Sequence, residues 1–483
     1  MEQEDIEKDL NGLAEQSKGL DLSPAEFDDF FKSLANYSSD FLKDTHKGLA
    51  YKETQDKGLG IRSIPIPEKG ARNPDELLEH YKKHVEDAGL NPASGGHLAY
   101  IPGGGVPVSA FGDFIAAITN RYSGVFFANP GAVRMENLLV EWMAKELGFG
   151  DCYGNLSSGG SIANLIAITA ARDAHGVEAE GIRKAVIYLT EQAHHSIQKA
   201  IRICGLAPAV LRYIPVDEAF RMNSVLLEKQ ILKDKADGLN PFLLVSSMGT
   251  TDTGGIDPIE ELDKHCKEHG LWHHIDAAYG GFFLMLEQFS YLKKTIAQVD
   301  SMTVDPHKGL FLPYGLGTVL VRNKKALKES HYYLANYMQD TLSALEEESP
   351  ADYSPELTKH FRGMRMWLAL QYYGTDVFRA CLEEKLLLTT YFYQKVENLG
   401  FVRGPEPELS VCIYRFVPES GDANQFNMDL VEAVRIDGRV FLSSTSINGV
   451  IWLRLAVLAF RTKKATIDLC LQVLEEKVKM LQS

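Results

Sequence analysis

The chain has 483 residues, of which 45% are apolar and 24% are charged. These fractions are ordinary for a folded globular protein and exclude collagen, low-complexity disorder and small disulfide scaffolds. The length suggests two or three domains, or one large α/β domain with an appendage. The net charge of −15 disfavours binding to a nucleic acid, because an acidic chain gains nothing from the release of phosphate counterions.

The cysteines and the apolar segments indicate the cellular setting. Six cysteines lie far apart without a C-x-x-C pair, which is neither a zinc pattern nor a disulfide framework. The first ten residues, MEQEDIEKDL, lack the apolar core of a signal peptide. No segment reaches the roughly 18 uncharged residues that a membrane span needs. We therefore expect a cytoplasmic protein without a membrane partner.

Residues 1 to about 75 are polar and helix-like. Ser23-Pro24 followed by Glu26 predicts a helix start, with the serine as N-cap and the proline at the first helical position. Apolar residues then recur at helical spacing, namely Phe27, Phe30, Phe31 and Leu34. This pattern predicts an amphipathic helix that covers apolar surface.

Short apolar segments alternate with longer helical patterns through the middle of the chain. The predicted strands are Lys184–Leu189, Phe242–Ser247, Leu271–Ala277, Ser301–Val304 and Gly317–Val321. The predicted helices include Ile162–Ala174, Ser196–Cys204 and Asp257–His269. This alternation favours βα units and a mostly parallel sheet, which binds ligands beyond the carboxyl ends of its strands.

The pattern changes again after about Asn323. The acidic segment Leu345–Glu356 contains two prolines and predicts an exposed loop. A long helix, Phe361–Tyr373, and an α+β segment follow it. We therefore expect a helical arm over residues 1–75, a large α/β domain over 76–344, and a loop with a small domain over 345–483.

Two motifs at predicted strand ends are suited to a flat, phosphorylated ligand. Ser157-Ser-Gly-Gly-Ser161 leads directly into a helix, whose N-terminal N–H groups favour a phosphate, although an ordinary glycine-rich turn is the alternative. His274-Ile-Asp-Ala-Ala278 places Asp276 at the end of a strand, beside small residues that leave room for a ring. No partner motif completes a metal site around His274 and Asp276, so we predict none. A buried aspartate with its hydrogen bonds satisfied is the alternative.

Two further motifs carry an amine and an imidazole. Asp305-Pro-His-Lys308 places Lys308 after a strand and a rigid turn, where a desolvated amine becomes a nucleophile. Gln192-Ala-His-His-Ser196 places His194 where it could stack on a planar ligand or transfer a proton. A surface lysine and a polar helix start are the alternatives. In combination, the four motifs meet the requirements of pyridoxal phosphate, whose phosphate, ring, nitrogen and aldehyde each need one such group.

At these residues the sequence resembles the group II pyridoxal-phosphate-dependent amino-acid decarboxylases, and most closely their aromatic-L-amino-acid branch. The resemblance runs from about Pro74 to about Leu474, and it also includes Asn129-Pro-Gly-Ala-Val-Arg-Met-Glu136 and Gly249-Thr-Thr-Asp-Thr-Gly-Gly255. It implies the type I, aspartate-aminotransferase-like α/β fold with a small α+β C-terminal domain and a helical N-terminal arm. It also implies a homodimer with active sites near the subunit interface.

The resemblance assigns roles to individual residues. Lys308 corresponds to the Schiff-base lysine, Asp276 to the partner of the pyridinium nitrogen, and His194 and Ala278 to the residues on the two faces of the ring. The other expected cofactor-binding residues are Gly160, Ser161, Thr251 and His307. Tyr100 and Pro102 lie in the segment that resembles the family's substrate-binding segment.

The family's catalytic loop precedes a motif like Phe361-Arg-Gly-Met-Arg-Met-Trp367. Tyr353 is the best match for its tyrosine, which protonates the carbanion after carbon dioxide leaves. The tyrosines at 332, 333 and 337 are weaker matches because they lie before the loop. An exposed tyrosine without a role is the alternative for Tyr353.

The implied function is decarboxylation of an L-amino acid, a small-molecule substrate, to its amine and carbon dioxide, with aromatic amino acids as the leading substrates. Many relatives have a tryptophan where this chain has Gly309, and often a second aromatic residue where it has Ile101. These departures leave glutamate-like and other substrates open. On the same fold, an aldehyde synthase, which tends to carry phenylalanine in place of the loop tyrosine, and a carbon–carbon lyase are alternatives. A non-catalytic sensor that keeps the cofactor is an alternative of another class.

Overall fold

The computed structural model describes residues 3–45, 48–70, 73–332 and 347–483. The chain divides into two compact units, one ending at Asn91 and the other running from Pro92 to Ser483. The boundaries at 75 and 344 stay predictions. Within the described ranges, no helix combines the length and the apolar character that crossing a membrane requires.

The first unit is mainly helical. It contains α1 (Gln3–Ser17), α2 (Pro24–Asp44) and α3 (Pro74–Tyr81), with a short antiparallel pair of strands, β1 (Tyr51–Lys52) and β2 (Gly89–Leu90). Ser23 caps α2 as predicted: its hydroxyl accepts from Glu26 N, and the Glu26 carboxylate accepts from Ser23 N at 2.9 Å. No residue of α2 is fully buried among the described residues: Phe27 and Leu34 are half-buried, whereas Phe30 and Phe31 are exposed.

The second unit is built on a large, mostly parallel sheet, which confirms the predicted fold class. Seven strands of the described chain form it, namely β3 (Tyr153–Ser157), β4 (Ala185–Leu189), β5 (Val210–Tyr213), β6 (Asn240–Ser247), β7 (Trp272–Asp276), β8 (Ser301–Val304) and β9 (Gly317–Val321). Their order is β3-β9-β8-β7-β6-β4-β5, and β9 alone runs in the direction opposite to the other six strands.

Helices bury both faces of this sheet. The helices of this part of the chain are α4 (Pro107–Thr119), α5 (Pro130–Glu146), α6 (Gly160–Ala174), α7 (His195–Ile203), α8 (Ser224–Ala236), α9 (Ile259–His269), α10 (Ser290–Ile296), α11 (Pro306–Gly309), α12 (Lys324–Glu329) and α13 (Gly363–Tyr373). Among them, α5 and α6 pack on β3 and β9, and α8 and α9 pack on β6. Alternate residues of β4 enter different hydrophobic clusters: Ile187 packs with α6 and α7, whereas Tyr188 packs with α8 and α9. This is the arrangement of a doubly covered parallel sheet.

A smaller α+β domain completes the second unit, as predicted. Its antiparallel sheet has the order β10-β11-β13-β12, from β10 (Phe401–Arg403), β11 (Val411–Phe416), β12 (Ser443–Ile447) and β13 (Val450–Ala456). Its helices are α14 (Thr375–Val396), α15 (Ala423–Asp437) and α16 (Lys464–Gln482). Phe392, Tyr414 and Leu474 are fully buried in the core between them.

The predicted functional motifs meet at one edge of the large sheet. Asp276 is the last residue of β7, and Lys308 lies in α11, directly after β8. Gly160 begins α6 after β3, and His194 precedes α7 after β4. Because these four strands run in the same direction, their carboxyl ends lie together, where such sheets bind ligands.

Candidate active site

A cavity of about 410 Å³ lies at this edge of the sheet. It brings together nine of the residues predicted for the site, namely Tyr100, Gly160, Ser161, His194, Thr251, Asp276, Ala278, His307 and Lys308. Pro102 and Tyr353 are not among the described residues that line it.

The turn before α6 forms a cradle with little spare space. The backbone of Gly159 has φ +153°, which residues with a side chain rarely adopt. A Cβ on Gly160 would lie 3.0 Å from Asp305 Oδ2 and 3.2 Å from Ala278 Cβ. No side chain caps the N-terminus of α6, so its first N–H groups remain available to an anion.

Lys308 forms an ion pair with a buried carboxylate, that of Asp305. Its Nζ lies 3.0 Å from Asp305 Oδ2, and the Asp305 side chain is only 2% exposed. The other oxygen of Asp305 has no hydrogen-bond partner among the described residues. His307 is held by a 2.6 Å hydrogen bond between its Nδ1 and Leu316 O. The amine of Lys308 therefore has a defined position beside the cradle.

Asp276 is held by hydrogen bonds at both oxygens. Its Oδ2 accepts from Asn164 Nδ2 at 3.0 Å, and its Oδ1 accepts from the backbone N of Ala278 at 3.2 Å. The carboxylate is buried at the end of β7 and also lines the cavity. It is thus a fixed acceptor for an N–H group of a bound ligand.

His194 precedes α7 and lines the cavity with one face of its ring close to His195, at a centroid distance of 4.1 Å. Its Nδ1 lies 2.7 Å from Ser196 Oγ. Burial lowers the pKa of His194, and the nearby Asp276 carboxylate opposes that shift. The ring is therefore neutral at neutral pH.

The predicted substrate segment lines the cavity in a strained conformation. Tyr100 and Ile101 both have left-handed backbones, with φ +56° and +57°, which is rare for residues other than glycine. A Cβ on Gly103 would lie 2.3 Å from His307 O, so this segment packs directly on the turn that carries Lys308. A side chain at position 103 would therefore displace either this segment or the turn that carries Lys308.

Tyr353 lies elsewhere in the second unit. It is 3% exposed, packs at 6.2 Å from the Tyr153 ring, and borders a separate depression with Cys152 and Glu348. Burial, followed by the charge of Glu348, raises the pKa of its hydroxyl. The weaker matches Tyr333 and Tyr337, together with Leu345 and Glu346 of the predicted loop, lie outside the described residues.

Two residues that line the cavity were not singled out from the sequence, and neither was a buried arginine, Arg454, which is not among the lining residues. Asn164 and Asp305 line the cavity and contact Asp276 and Lys308. Arg454, on β13, is 4% exposed and donates to Ser443 Oγ, while its Nε and Nη2 have no hydrogen-bond partner among the described residues. No local pattern marks Asn164 or Arg454, whereas Asp305 lies within the lysine motif.

The cavity fits pyridoxal phosphate. The uncapped α6 N-terminus and its glycines suit a phosphate, and Asp276 suits the protonated nitrogen of a pyridine ring. Ala278 and His194 offer two flat faces, and Lys308 offers an amine. Each chemical group of the cofactor therefore has a counterpart among the residues that line the cavity.

Comparison with known proteins agrees with this fit. The sequence matches the pyridoxal-dependent decarboxylase conserved domain over residues 68–407. It is 31% identical to an aromatic-L-amino-acid decarboxylase of Bacillus atrophaeus over 406 residues, which covers 82% of this chain and 84% of that protein. It is 26% identical to a phenylacetaldehyde synthase of Petunia hybrida, over 95% of this chain and 96% of that protein.

The fold agrees with solved structures as well. The Oryza sativa TDC, solved with PLP and tryptamine, superimposes with a TM-score of 0.89 at 22% sequence identity, over 96% of this chain and 99% of that one. At 22% identity, this likeness shows a shared fold and nothing further.

Proposed function

This chain belongs to the pyridoxal-dependent decarboxylase family, and we propose that it converts an aromatic L-amino acid to its amine and carbon dioxide. The observation that carries the proposal is that Lys308, Asp276, His194 and the glycine cradle all line the same cavity. As a pyridoxal-phosphate-dependent amino-acid decarboxylase, the protein is a carboxy-lyase.

The chain's residues have distinct tasks in holding the cofactor. The backbone N–H groups of Gly160 and Ser161 bind its phosphate, and Lys308 provides the amine for its aldehyde carbon. His194 and Ala278 would flank the ring, and we assign Thr251 and His307, which line the same cavity, to the cofactor as well. When bound, pyridoxal phosphate supplies a conjugated ring that accepts the electron pair released as carbon dioxide departs.

Asp276 is suited to stabilise the positive charge of a protonated ring nitrogen. Its carboxylate, held by Asn164 and Ala278, would keep a proton on the ring nitrogen of the bound cofactor. Asp305 accepts from the Lys308 amine and would hold that amine in place within the cavity. Both carboxylates are buried, which strengthens these interactions relative to water.

The cavity also supports a substrate with an aromatic side chain. Tyr100 and Ile101 line it and offer an aromatic and an aliphatic surface. The relatives named above act, by their names, on aromatic amino acids or form phenylacetaldehyde. The unpaired N–H groups of Arg454, a buried cation near Tyr100, are suited to the substrate carboxylate.

We further propose that the chain works as a homodimer, with Tyr353 as the proton donor. Tyr353 does not line the cavity of its own chain, so its role requires a second copy or a rearrangement of residues 347–356. A cytoplasmic location is part of the same proposal, supported by six free cysteines.

The function is tested by purifying the protein with pyridoxal phosphate and incubating it with the twenty amino acids, DOPA and 5-hydroxytryptophan. Mass spectrometry follows carbon dioxide and amine. We expect amine from one or more aromatic substrates, and none from Lys308→Ala. Lys264→Ala removes an exposed lysine paired with Glu260 and serves as the matched control with full activity.

The products separate the proposal from its alternatives. Aldehyde and hydrogen peroxide in place of amine would assign the chain to the aldehyde synthases, which the similarity to the Petunia enzyme makes a specific alternative. A cofactor absorbance that no amino acid perturbs would contradict both catalytic proposals and leave a sensor.

A further inference from the structure

One buried amide connects two of the proposed cofactor-binding residues. Asn164, in the second turn of α6, is 1% exposed. Its Nδ2 lies 3.0 Å from Asp276 Oδ2 and 3.1 Å from Ser196 Oγ, and its Oδ1 lies 3.0 Å from His274 Nε2. Ser196 in turn contacts His194. Asn164 is therefore the meeting point of two branches, one through His274 and one through Ser196.

Asp276 determines which way this amide points. Both of its oxygens face N–H groups, from Asn164 and from Ala278, and a carboxylate oxygen accepts hydrogen bonds. The opposite orientation of the amide would aim its oxygen at the carboxylate. The amide nitrogen must therefore face Asp276 and Ser196, and the amide oxygen must face His274.

The first branch agrees with this direction. His274 Nε2 must carry a proton in order to donate to Asn164 Oδ1. Burial lowers the pKa of His274 to about 4, so the ring is neutral and its Nδ1 accepts from Ser301 Oγ at 2.8 Å. Trp272 Nε1, which can only donate, occupies Ser301 Oγ at 2.7 Å and leaves the serine proton for His274.

The second branch sets the proton of His194. Ser196 Oγ receives one N–H of Asn164, so its own proton is directed at His194 Nδ1, 2.7 Å away. The backbone N–H of Ser196 points at the same nitrogen at 3.2 Å. With two donors aimed at it, Nδ1 carries no proton, and the proton of the neutral ring must be on Nε2.

We propose that Asn164 is a positioning residue that, through Ser196, holds the proton of His194 on Nε2 while the same amide group orients Asp276. This inference rests on the proposed function in that it assigns His194 and Asp276 to the cofactor. It follows that Nε2 of the neutral His194 ring is a hydrogen-bond donor and not a proton acceptor.

The charged groups around His194 do not change its neutral protonation state. Asp276 and Asp305 favour its protonation, whereas His195, Lys308 and above all burial oppose it. Because burial has the largest effect, the pKa of His194 lies below its ordinary value. The ring therefore keeps the same tautomer throughout the neutral pH range.

Nuclear magnetic resonance of the full chain with ¹⁵N-labelled histidine tests the proposal, with and without added pyridoxal phosphate. The His194 signals are assigned by their loss in His194→Gln. We expect a protonated Nε2 and an unprotonated Nδ1 in the wild type between about pH 6 and 8. Ser196→Ala and Asn164→Leu should each increase the share of the tautomer protonated at Nδ1, because Nδ1 then keeps the backbone N–H of residue 196 but loses the directed hydroxyl proton. The titration midpoint of His194 should shift as well.

Controls separate this outcome from general damage. Asn427→Leu removes an equally buried amide in the small domain and should leave the His194 signals unchanged. Ser196→Ala leaves Asn164 and Asp276 in place, so it still tests the proposal if Asn164→Leu fails to fold. A wild-type proton on Nδ1, or a tautomer unaffected by Ser196→Ala, would overturn the inference. The spectra need no turnover, so this failure is distinct from failure of the proposed function.

Discussion

Tyr353 is a predicted site residue whose hydroxyl does not face the Lys308 cavity of its own chain. If it donates the proton to the substrate carbon, Tyr353→Phe should lower amine formation by at least about 100-fold, the usual contribution of a positioned general acid. The measurement is steady-state amine release by the holoenzyme. Unchanged amine release would remove Tyr353 from the mechanism.

A mixture of two inactive variants shows which chain supplies this tyrosine. If the chain forms the homodimer that we propose, co-expressed Lys308→Ala and Tyr353→Phe chains would form mixed dimers. One cavity of such a dimer keeps its lysine, and the other chain supplies an intact tyrosine. Activity should return in the mixture if Tyr353 acts on the second copy. Activity that stays absent, when each variant still dimerises, would contradict the action across the dimer.

Residues within short motifs were the predictable part of the site. Lys308 and His194 follow recognisable strands, Asp276 ends one, and the structure places all three around one cavity. Asn164 could not be predicted in this way, because its partners Asp276 and His274 lie more than 100 positions away in the sequence. A buried polar side chain in a helix gives no sign of the group that will satisfy it.

At the scale of the element, five of the seven strands of the large sheet were predicted, and β3 and β5 were not. Ser301–Val304 and Gly317–Val321 match β8 and β9 in the structure. The patterns do not indicate β3, whose sequence YGNLS contains two residues that strands disfavour. It forms because β9, more than 150 residues later, offers an antiparallel edge, which local propensity cannot reveal.

The segment from residue 93 to residue 105, which carries the strained Tyr100, is tied at both ends by one side chain. Arg461 donates from Nη1 to Ala93 O at 3.2 Å and to Gly104 O at 2.8 Å. Its guanidinium lies over the Phe460 ring at 4.3 Å. Because strained backbone persists only where its surroundings hold it, we infer that Arg461 maintains the cavity wall.

Arg461→Lys tests this role, since lysine keeps the charge but cannot reproduce the planar guanidinium geometry. We expect KM for the substrate to rise about 10-fold, the effect of one hydrogen bond to a charged group, while kcat changes less. Steady-state kinetics of the holoenzyme measures both constants. Arg435→Lys alters an exposed pair with Glu432 and is the matched control. An equal KM in both variants would contradict the role of Arg461.

At the scale of the whole molecule, buried titratable groups make stability depend on pH. Burial lowers the pKa of His97 and of His274 to about 4, below the ordinary value of 6.5. The unfolded chain therefore binds these protons first, and stability is lost as the pH falls through this window. Burial raises the pKa of Asp257 to about 6, so that group acts in the opposite direction below pH 6.

His97→Phe isolates one of these contributions. His97 is 1% exposed, neither ring nitrogen has a hydrogen-bond partner among the described residues, and phenylalanine keeps the ring that packs on Phe441. From pH 7 to pH 5, the free energy of unfolding should fall by about 2 kcal/mol less in His97→Phe than in the wild type. Urea unfolding of the holoenzyme at both pH values measures this difference. His80→Phe, at a partly exposed position, should follow the wild type, and equal losses in all three proteins would contradict the explanation from burial.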